Sequence, residues 1–292
     1  MIAYIIFRIF VLLFSVLPFS VIYCIADFIS CLLYRVIGYR RKVIETQLKT
    51  SFPNLSDREI QDITKKSYVN LGDIIVESIK GFSMSEDVYK KRYRFLNAES
   101  ANQHTANGQG VILAASHYNN WEWGAISIPL WFSYPSLGFY KPLSNTYLEA
   151  YAKRARGRFD FILVPIGQTS EYIEKFKDKA PTLIFVSDQS TWSKHAHWVN
   201  FLGQETACPH GIEKYSKMLH IPVYYLHFER VRRGYYEIRL ELLTDGKEHL
   251  SEGEITKRFM HTLEKDLQAK PENWLWSHKR WKRTRKHEEK LL

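Results

Sequence analysis

Gly110-Val-Ile-Leu-Ala-Ala-Ser-His-Tyr-Asn-Asn-Trp-Glu-Trp-Gly124 joins an apolar run to an Asn-rich turn and an aromatic, acidic stretch. A short apolar run bounded in this way reads as a buried strand. The two Asn read as a turn, since Asn tolerates left-handed backbone and bonds its own main chain. Trp121 onward reads as a helix, and strand–turn–helix is the unit of an α/β sheet. His117 then sits at a sheet edge with Glu122 five positions on, a general base beside a carboxylate that orients it. On one continuous helix two such positions are rotated by roughly 140°, so the pairing needs His117 in the turn. On spacing alone, a capping His and a surface Glu remain open.

Outward from this unit, apolar runs alternate with helical stretches. Strands are predicted at Val111 to Ala115, Leu137 to Tyr140, Phe161 to Val164, Leu183 to Val186, Val223 to Phe228 and Tyr236 to Leu242. Helices are predicted at Trp121 to Trp131, Asn145 to Arg156, Ser170 to Lys177, Gly211 to Leu219 and Glu254 to Gln268. Ligands in open sheets of this kind gather beyond the carboxyl ends of the strands, which favours His117, Lys141 and Asp188, each just after a predicted strand. Upstream, Ser56 to Glu59 has capping-box spacing, and Ile60, Ile63, Tyr68, Leu71, Ile74, Ile75 and Ile79 continue an amphipathic helix to about Gly81.

Ile9 to Ala26 carries no charge and would be about 27 Å long as a helix, enough to reach across hydrocarbon. It is expected to be a membrane helix, with Pro18 kinking it, in an anchor of residues 1–42 ahead of a domain of residues 43–292. Since the apolar character continues through Phe28 to Tyr39, a bent or re-entrant segment is the alternative. A signal peptide fits less well, since the run is long and lacks a small-residue cleavage site. Arg40, Arg41 and Lys42 place the succeeding domain on the cytoplasmic side.

The 292 residues carry a formal charge of +10, which favours an anionic partner without choosing among lipid, protein and nucleic acid. Seven Lys or Arg lie between Lys279 and Lys290 against two Glu, with Trp281 among them. Such a tail suits anionic headgroups or an acidic carrier protein. No nucleic-acid-binding motif accompanies the charge. Cys24, Cys31 and Cys208 form no disulfide framework or zinc spacing. No G-x-S-x-G, P-loop, H-E-x-x-H or G-x-G-x-x-G occurs. His195-Ala-His197 could offer two metal ligands from a strand, with Asp188 or His210; solvated loop histidines are the other reading, and no metal is expected.

At His117 to Glu122 the chain resembles the H-x-x-x-x-[DE] acyltransferases of glycerolipid type, and in its H-x-x-N-W-E form the bacterial lipid A biosynthesis acyltransferases. The resemblance extends in order through Ser51 to Glu59, Tyr140 to Asn145, Arg156 to Phe159, Ser187 to Gln189, Val199 to Gly203 and Trp274 to Lys282. It implies a mixed, largely parallel sheet flanked by helices, of glycerol-phosphate-acyltransferase type. It also implies acyl transfer from an acyl carrier protein or CoA thioester, a co-substrate with no other cofactor, to a hydroxyl of a membrane glycolipid at the inner membrane. His117 would be the base and Glu122 its orienting partner. Arg156 would stabilise the oxyanion, Asp188 would orient Arg156 or a sugar, and Lys141, Asn145 and Asn120 would line the substrate. Lys141 stands where the family commonly has Arg, and Asn119 where it has Gly. The same chemistry on another polar lipid, or a noncatalytic lipid-binding protein, are the alternatives.

Overall fold

The computed structural model describes residues 1–292, the side chains of residues 2 and 3 excepted. Two amino-terminal helices, α1 (Ile2–Val16) and α2 (Phe19–Cys31), precede a π-helical turn at Leu32–Ile37 and then α3 (Arg41–Ser51), α4 (Asp57–Gly81) and α5 (Glu86–Arg92). There follow β1 (Tyr93–Phe95), α6 (Glu99–Ala106), β2 (Val111–Ala115), α7 (Trp121–Ser127), β3 (Ser136–Tyr140), α8 (Thr146–Arg156), β4 (Phe161–Pro165), α9 (Thr169–Phe176) and β5 (Thr182–Val186). The chain ends with β6 (His197–Phe201), β7 (Gln204–Cys208), α10 (Gly211–Leu219), β8 (Val223–Arg232), β9 (Tyr235–Thr244), α11 (Glu254–Ala269) and a tail packed on the domain.

Seven strands form one sheet in the order β1-β9-β8-β2-β5-β3-β4. From β8 to β4 all neighbours are parallel, while β9 returns antiparallel to β8 and β1 runs with β9. This is the expected mixed, largely parallel sheet. Every residue of β2 is buried, as a central parallel strand covered on both faces requires. Ala115 pairs with Val186, so the ends of β2 and β5 emerge side by side although far apart in sequence.

All six predicted strands form. The hairpin β6–β7 and the helices α3, α5 and α6 were not expected. The hairpin turns on Leu202 and Gly203, at φ 51° and 72°, a two-residue turn of the kind that matches strand twist. A Leu at positive φ conceals that turn, and its burial compensates for the strain.

The apolar amino terminus differs from the expectation of one kinked helix over Ile9 to Ala26. Pro18 lacks an N–H and excludes a helical residue before it. Leu17 is accordingly extended at φ −72° and ψ 136°, separating α1 from α2. The helix long and apolar enough to cross a membrane is Phe19–Ile37, ending on the left-handed Gly38.

The inner face of this helix packs along α4. A Cβ on Gly72 would lie 2.1 Å from Ser30 Oγ and 2.7 Å from the Ala26 carbonyl, so no other residue permits this approach. Lys80 Nζ donates to the carbonyls of Phe14, Ser15 and Leu17 at 2.9, 2.8 and 3.0 Å, satisfying groups orphaned at the end of α1. Arg233 joins Asp27 and Asp73, each at 2.6 Å. The outer faces of α1 and α2 expose Ile5, Ile6, Ile9, Phe10, Leu12, Leu13 and Phe28.

The basic tail, which its sequence suits to anionic headgroups or an acidic carrier protein, packs on the domain. Arg280 is buried, with Nη2 donating to Cys208 Sγ at 3.3 Å. Arg285 pairs with Glu205 at 2.8 Å, and Leu292 N donates to the Trp198 carbonyl at 2.8 Å. The Trp274–Arg280 segment is clasped from α3: Gln47 Nε2 donates to the Trp276 and His278 carbonyls at 2.8 and 3.0 Å, and its Oε1 accepts from Arg280 N at 2.6 Å.

Candidate active site

The turn after β2 is built by its two Asn. Asn119 takes φ 51°, its amide donates to the Phe228 carbonyl at 2.6 Å, and its backbone N donates to the Asn273 carbonyl at 2.8 Å. Asn120 caps α7, with Oδ1 accepting from Trp123 N at 2.9 Å. Its Nδ2 donates to the fully buried Glu77 at 2.6 Å. Glu77 also accepts from Tyr23 and Tyr236 hydroxyls, each at 2.7 Å. Asn120 is therefore a structural cap enclosed by protein, not a substrate ligand.

His117 lies before the helix, as the turn requires, but its partner is not Glu122. His117 Nδ1 bonds Asp188 Oδ1 at 2.7 Å, and the His117 backbone N–H donates to Asp188 Oδ2 at 2.9 Å. Trp274 Nε1–H donates to the same Oδ2 at 2.7 Å. Asp188 is 1% exposed and the His117 side chain 19%. Burial pushes the Asp188 carboxyl upward, but the His117 imidazole and the three hydrogen bonds outweigh it and hold the group below its ordinary value. An ionised Asp188 accepts a proton-bearing Nδ1, which leaves the Nε2 lone pair free to take a proton. Among the described residues Nε2 has no hydrogen-bond partner, and the Trp121 ring stands edge-on with centroids 5.0 Å apart.

Glu122 is turned to Arg156. The guanidinium donates through Nη2 at 2.8 and 3.0 Å and through Nε at 3.2 Å. The expected orienting role of Glu122 is thus filled by Asp188, and Asp188 touches neither Arg156 nor a position open to a sugar. Position explains the exchange: Glu122 lies in the first turn of α7 and Arg156 in the last turn of α8, whereas sheet order brings Asp188 against His117. Among the described residues Arg156 keeps Nη1 without a hydrogen-bond partner.

Asn145 is the N-cap of α8, its Oδ1 accepting from Tyr147 N and Leu148 N, both at 3.1 Å. Lys141 is exposed on a loop held by Glu149, which accepts from the Tyr140 hydroxyl and from Leu143 N at 2.8 Å. His195, His197 and His210 lie near one another, with ring centroids 5.7 Å apart for His195 and His210 and 6.1 Å for His197 and His210, and no group of three metal-ligating side chains converges among the described residues.

Two site residues escaped the sequence reading. Trp274 fixes Asp188, and His278 faces the segment after it: Ser190 N lies 3.4 Å and Ser190 Oγ 3.2 Å from His278 Nε2. Both lie in the Trp274 to Lys282 block, whose order was visible but whose contact with Asp188 was not. Burial, then Lys282, pushes the His278 imidazole down to about 4. Its folded value lies below the unfolded value of about 6.5, so the unfolded chain binds the extra proton between the two. Stability is therefore lost as pH falls from about 6.5 toward 4. The melting temperature of the wild type is expected to fall across that window more steeply than that of His278→Gln. Parallel melting curves for the two proteins would refute this assignment.

A cavity of about 300 Å³ runs between the ends of β3 and β5 and the start of α10, lined by Phe139, Phe185, Val186, Ser187 and Tyr215. The Phe139 and Phe185 rings are 4.5 Å apart and those of Phe185 and Tyr215 5.7 Å. The walls are mainly apolar.

Residues 1–283 match the family described as bacterial lipid A biosynthesis acyltransferase. Among similar proteins are the lipid A biosynthesis palmitoleoyltransferase of Escherichia coli strain K12, 21% identical over 91% of this chain and 86% of that protein, and the lauroyltransferase of the same strain, 21% identical over 91% and 87%. A lipid A biosynthesis acyltransferase of Haemophilus influenzae is 22% identical over 84% of this chain and 79% of its own length.

Proposed function

Since the chain belongs to the bacterial lipid A biosynthesis acyltransferases, and is an O-acyltransferase by that membership, we propose that it moves a fatty acyl group from an acyl carrier protein or CoA thioester to a hydroxyl of a lipid A precursor. The observation that carries this reading is the His117–Asp188 pair, with Nδ1 on a buried carboxylate and Nε2 unpartnered.

As the acceptor oxygen attacks the thioester carbonyl, His117 Nε2 takes its proton and Asp188 stabilises the imidazolium. The C–O bond forms, negative charge gathers on the carbonyl oxygen, and the guanidinium of Arg156, steadied on one edge by Glu122, faces that charge. Collapse breaks the C–S bond, and the His117 proton passes to the departing thiolate. The acyl chain occupies the apolar cavity behind Ser187. No covalent acyl-enzyme is needed, since the base serves the acceptor hydroxyl directly, and the thioester is the only other reactant. Lys141, exposed near the end of β3, contacts the glycolipid.

The Phe19–Ile37 helix, followed by Arg40, Arg41 and Lys42, supports attachment to the inner membrane with the domain on the cytoplasmic side. Mass spectrometry of lipids from cells with and without the gene tests the acceptor. Loss of one acyl chain from lipid A is expected, whereas unchanged lipid A and a chain missing from another polar lipid would replace the acceptor.

A further inference from the structure

Phe19–Ile37 is long and apolar enough to cross a bilayer, yet its start, middle and end are all fixed to the domain. At the start, the Arg92 guanidinium stands 3.5 Å over the Phe19 ring, and Phe19 meets Trp123 edge-on at 6.1 Å. In the middle, Tyr23 donates to Glu77, and Arg233 of the β8–β9 turn bridges Asp27 to Asp73. At the end, the Tyr34 and Tyr68 rings are 5.3 Å apart, and the Tyr68 hydroxyl donates to the Tyr39 carbonyl at 2.7 Å. The helix lies along the domain for its whole length.

A crossing would carry these neighbours with it. Arg92 and Lys80 at one end, and the exposed Lys65 and Lys66 of α4 at the other, would stand on opposite sides of the bilayer. The β8–β9 turn, with Arg232 exposed beside it, would then lie in hydrocarbon, where irregular backbone facing lipid leaves its polar groups unsatisfied. Asp27 makes the same point from within the helix. It stands beside the midpoint of Phe19–Ile37 with its side chain 58% exposed, whereas an acidic group at the centre of a spanning helix is costly and faces protein.

α1 supplies an independent argument. It joins the start of α2, so in a crossing it would lie at or beyond the far leaflet. Its partners are domain side chains instead: Phe7 packs on Phe82 and Tyr151, with ring centroids 5.9 and 5.6 Å apart, and Arg8 stands over Tyr151 at 5.0 Å. Both helices belong to the domain's side.

Their outer faces form one apolar surface that exposes Ile9, Phe10, Leu13, Phe28, Val36 and Ile37. The edges of that surface are amphipathic. Tyr39 is exposed there with Arg35 and Arg40, and Tyr147, whose ring lies 6.0 Å from that of Tyr4, is exposed with Arg154. An apolar face rimmed by tyrosines and cations matches a leaflet whose hydrocarbon is bordered by anionic headgroups. Through Phe19 and Trp123 the surface reaches α7, the helix that follows His117.

We propose that α1 and α2 lie in the plane of one leaflet, so that the protein sits on a single face of the membrane and does not span it. Lipid covers the apolar surface. The inference rests on the membrane attachment described above and is independent of the acyl-transfer chemistry.

The test uses the full chain in vesicles of phosphatidylethanolamine and phosphatidylglycerol. Cys24 and Cys31 are replaced by Ser and the buried Cys208 is kept. A nitroxide is attached in turn through Val21→Cys, Phe28→Cys and Arg35→Cys, three exposed positions whose spacing of seven puts them on nearly one helix face. Depth is read from relaxation by oxygen, which partitions into hydrocarbon, and by a water-soluble nickel chelate. The three probes are expected at one shared depth, within about 5–10 Å of the headgroup boundary. A spanning helix would place the probe at residue 28 about 10 Å deeper than the other two, and that profile overturns the proposal. So does exclusion of both relaxants from all three positions, the mark of a protein partner on this surface. Equal depths in a protein that transfers no acyl group would overturn the acyltransferase reading and leave the in-plane seating intact.

Discussion

His117→Ala is expected to lower kcat for acyl transfer by about a thousandfold, within the range that positioned general bases supply, while the protein stays folded and on the membrane. The base acts from Nε2, which makes no hydrogen bond among the described residues. Asp188 also retains two donors in the variant, the Trp274 indole at 2.7 Å and the backbone N–H of residue 117 at 2.9 Å. The loss should therefore fall on chemistry, with KM for the thioester little changed. The measurement is turnover of a labelled acyl thioester alongside a melting curve. Retained turnover in a folded variant removes His117 from the reaction.

The second expectation separates what the geometry says from what sequence spacing suggested. Asp188→Asn should cost roughly 10³- to 10⁴-fold in kcat, the scale seen when the carboxylate of a His–Asp pair is replaced by its amide. The reason is tautomeric. Two donors already point at Oδ2, so the Asn oxygen takes that place and its NH₂ faces His117 Nδ1. Nδ1 must then accept, the imidazole proton moves to Nε2, and the base is occupied. Glu122→Gln leaves this pair intact and weakens only the carboxylate that steadies Arg156, so its loss should be far smaller. If Glu122→Gln proves the more damaging, Glu122 and not Asp188 orients the base.

The fold was legible where a local signal suffices. Period and length marked β2, β5 and α10, and the capping box at Ser56 forms as spaced, with Ser56 N donating to Glu59 Oε2 at 2.8 Å. The hairpin at Leu202 was hidden because its turn uses a buried Leu in place of Asn or Gly. Pro18 was visible, but its effect was read as a kink in one helix when it ends one and begins another. The site was legible by half. His117, Arg156 and Asp188 were all singled out, yet the pairing of His117 with Asp188 depends on β2 lying beside β5, an order that no local pattern encodes. Glu122, five residues from His117, was the natural partner in one dimension; Asp188, across the register of Ala115 with Val186, is the partner in three.

The clasp between α3 and the Trp274–Arg280 segment bears on how the enzyme comes into being. Trp274 supplies one of the donors that keep Asp188 ionised, and Gln47 holds its loop from near the opposite end of the chain. During synthesis the sheet and Asp188 itself can be in place while the segment that fixes Asp188, and that closes the turn at Asn119 through the Asn273 carbonyl, is still inside the ribosome. The base then lacks its final brace. A nascent chain at that stage would lack the competence to act on a substrate, and would acquire it only as the Trp274–Arg280 segment swings back to meet α3.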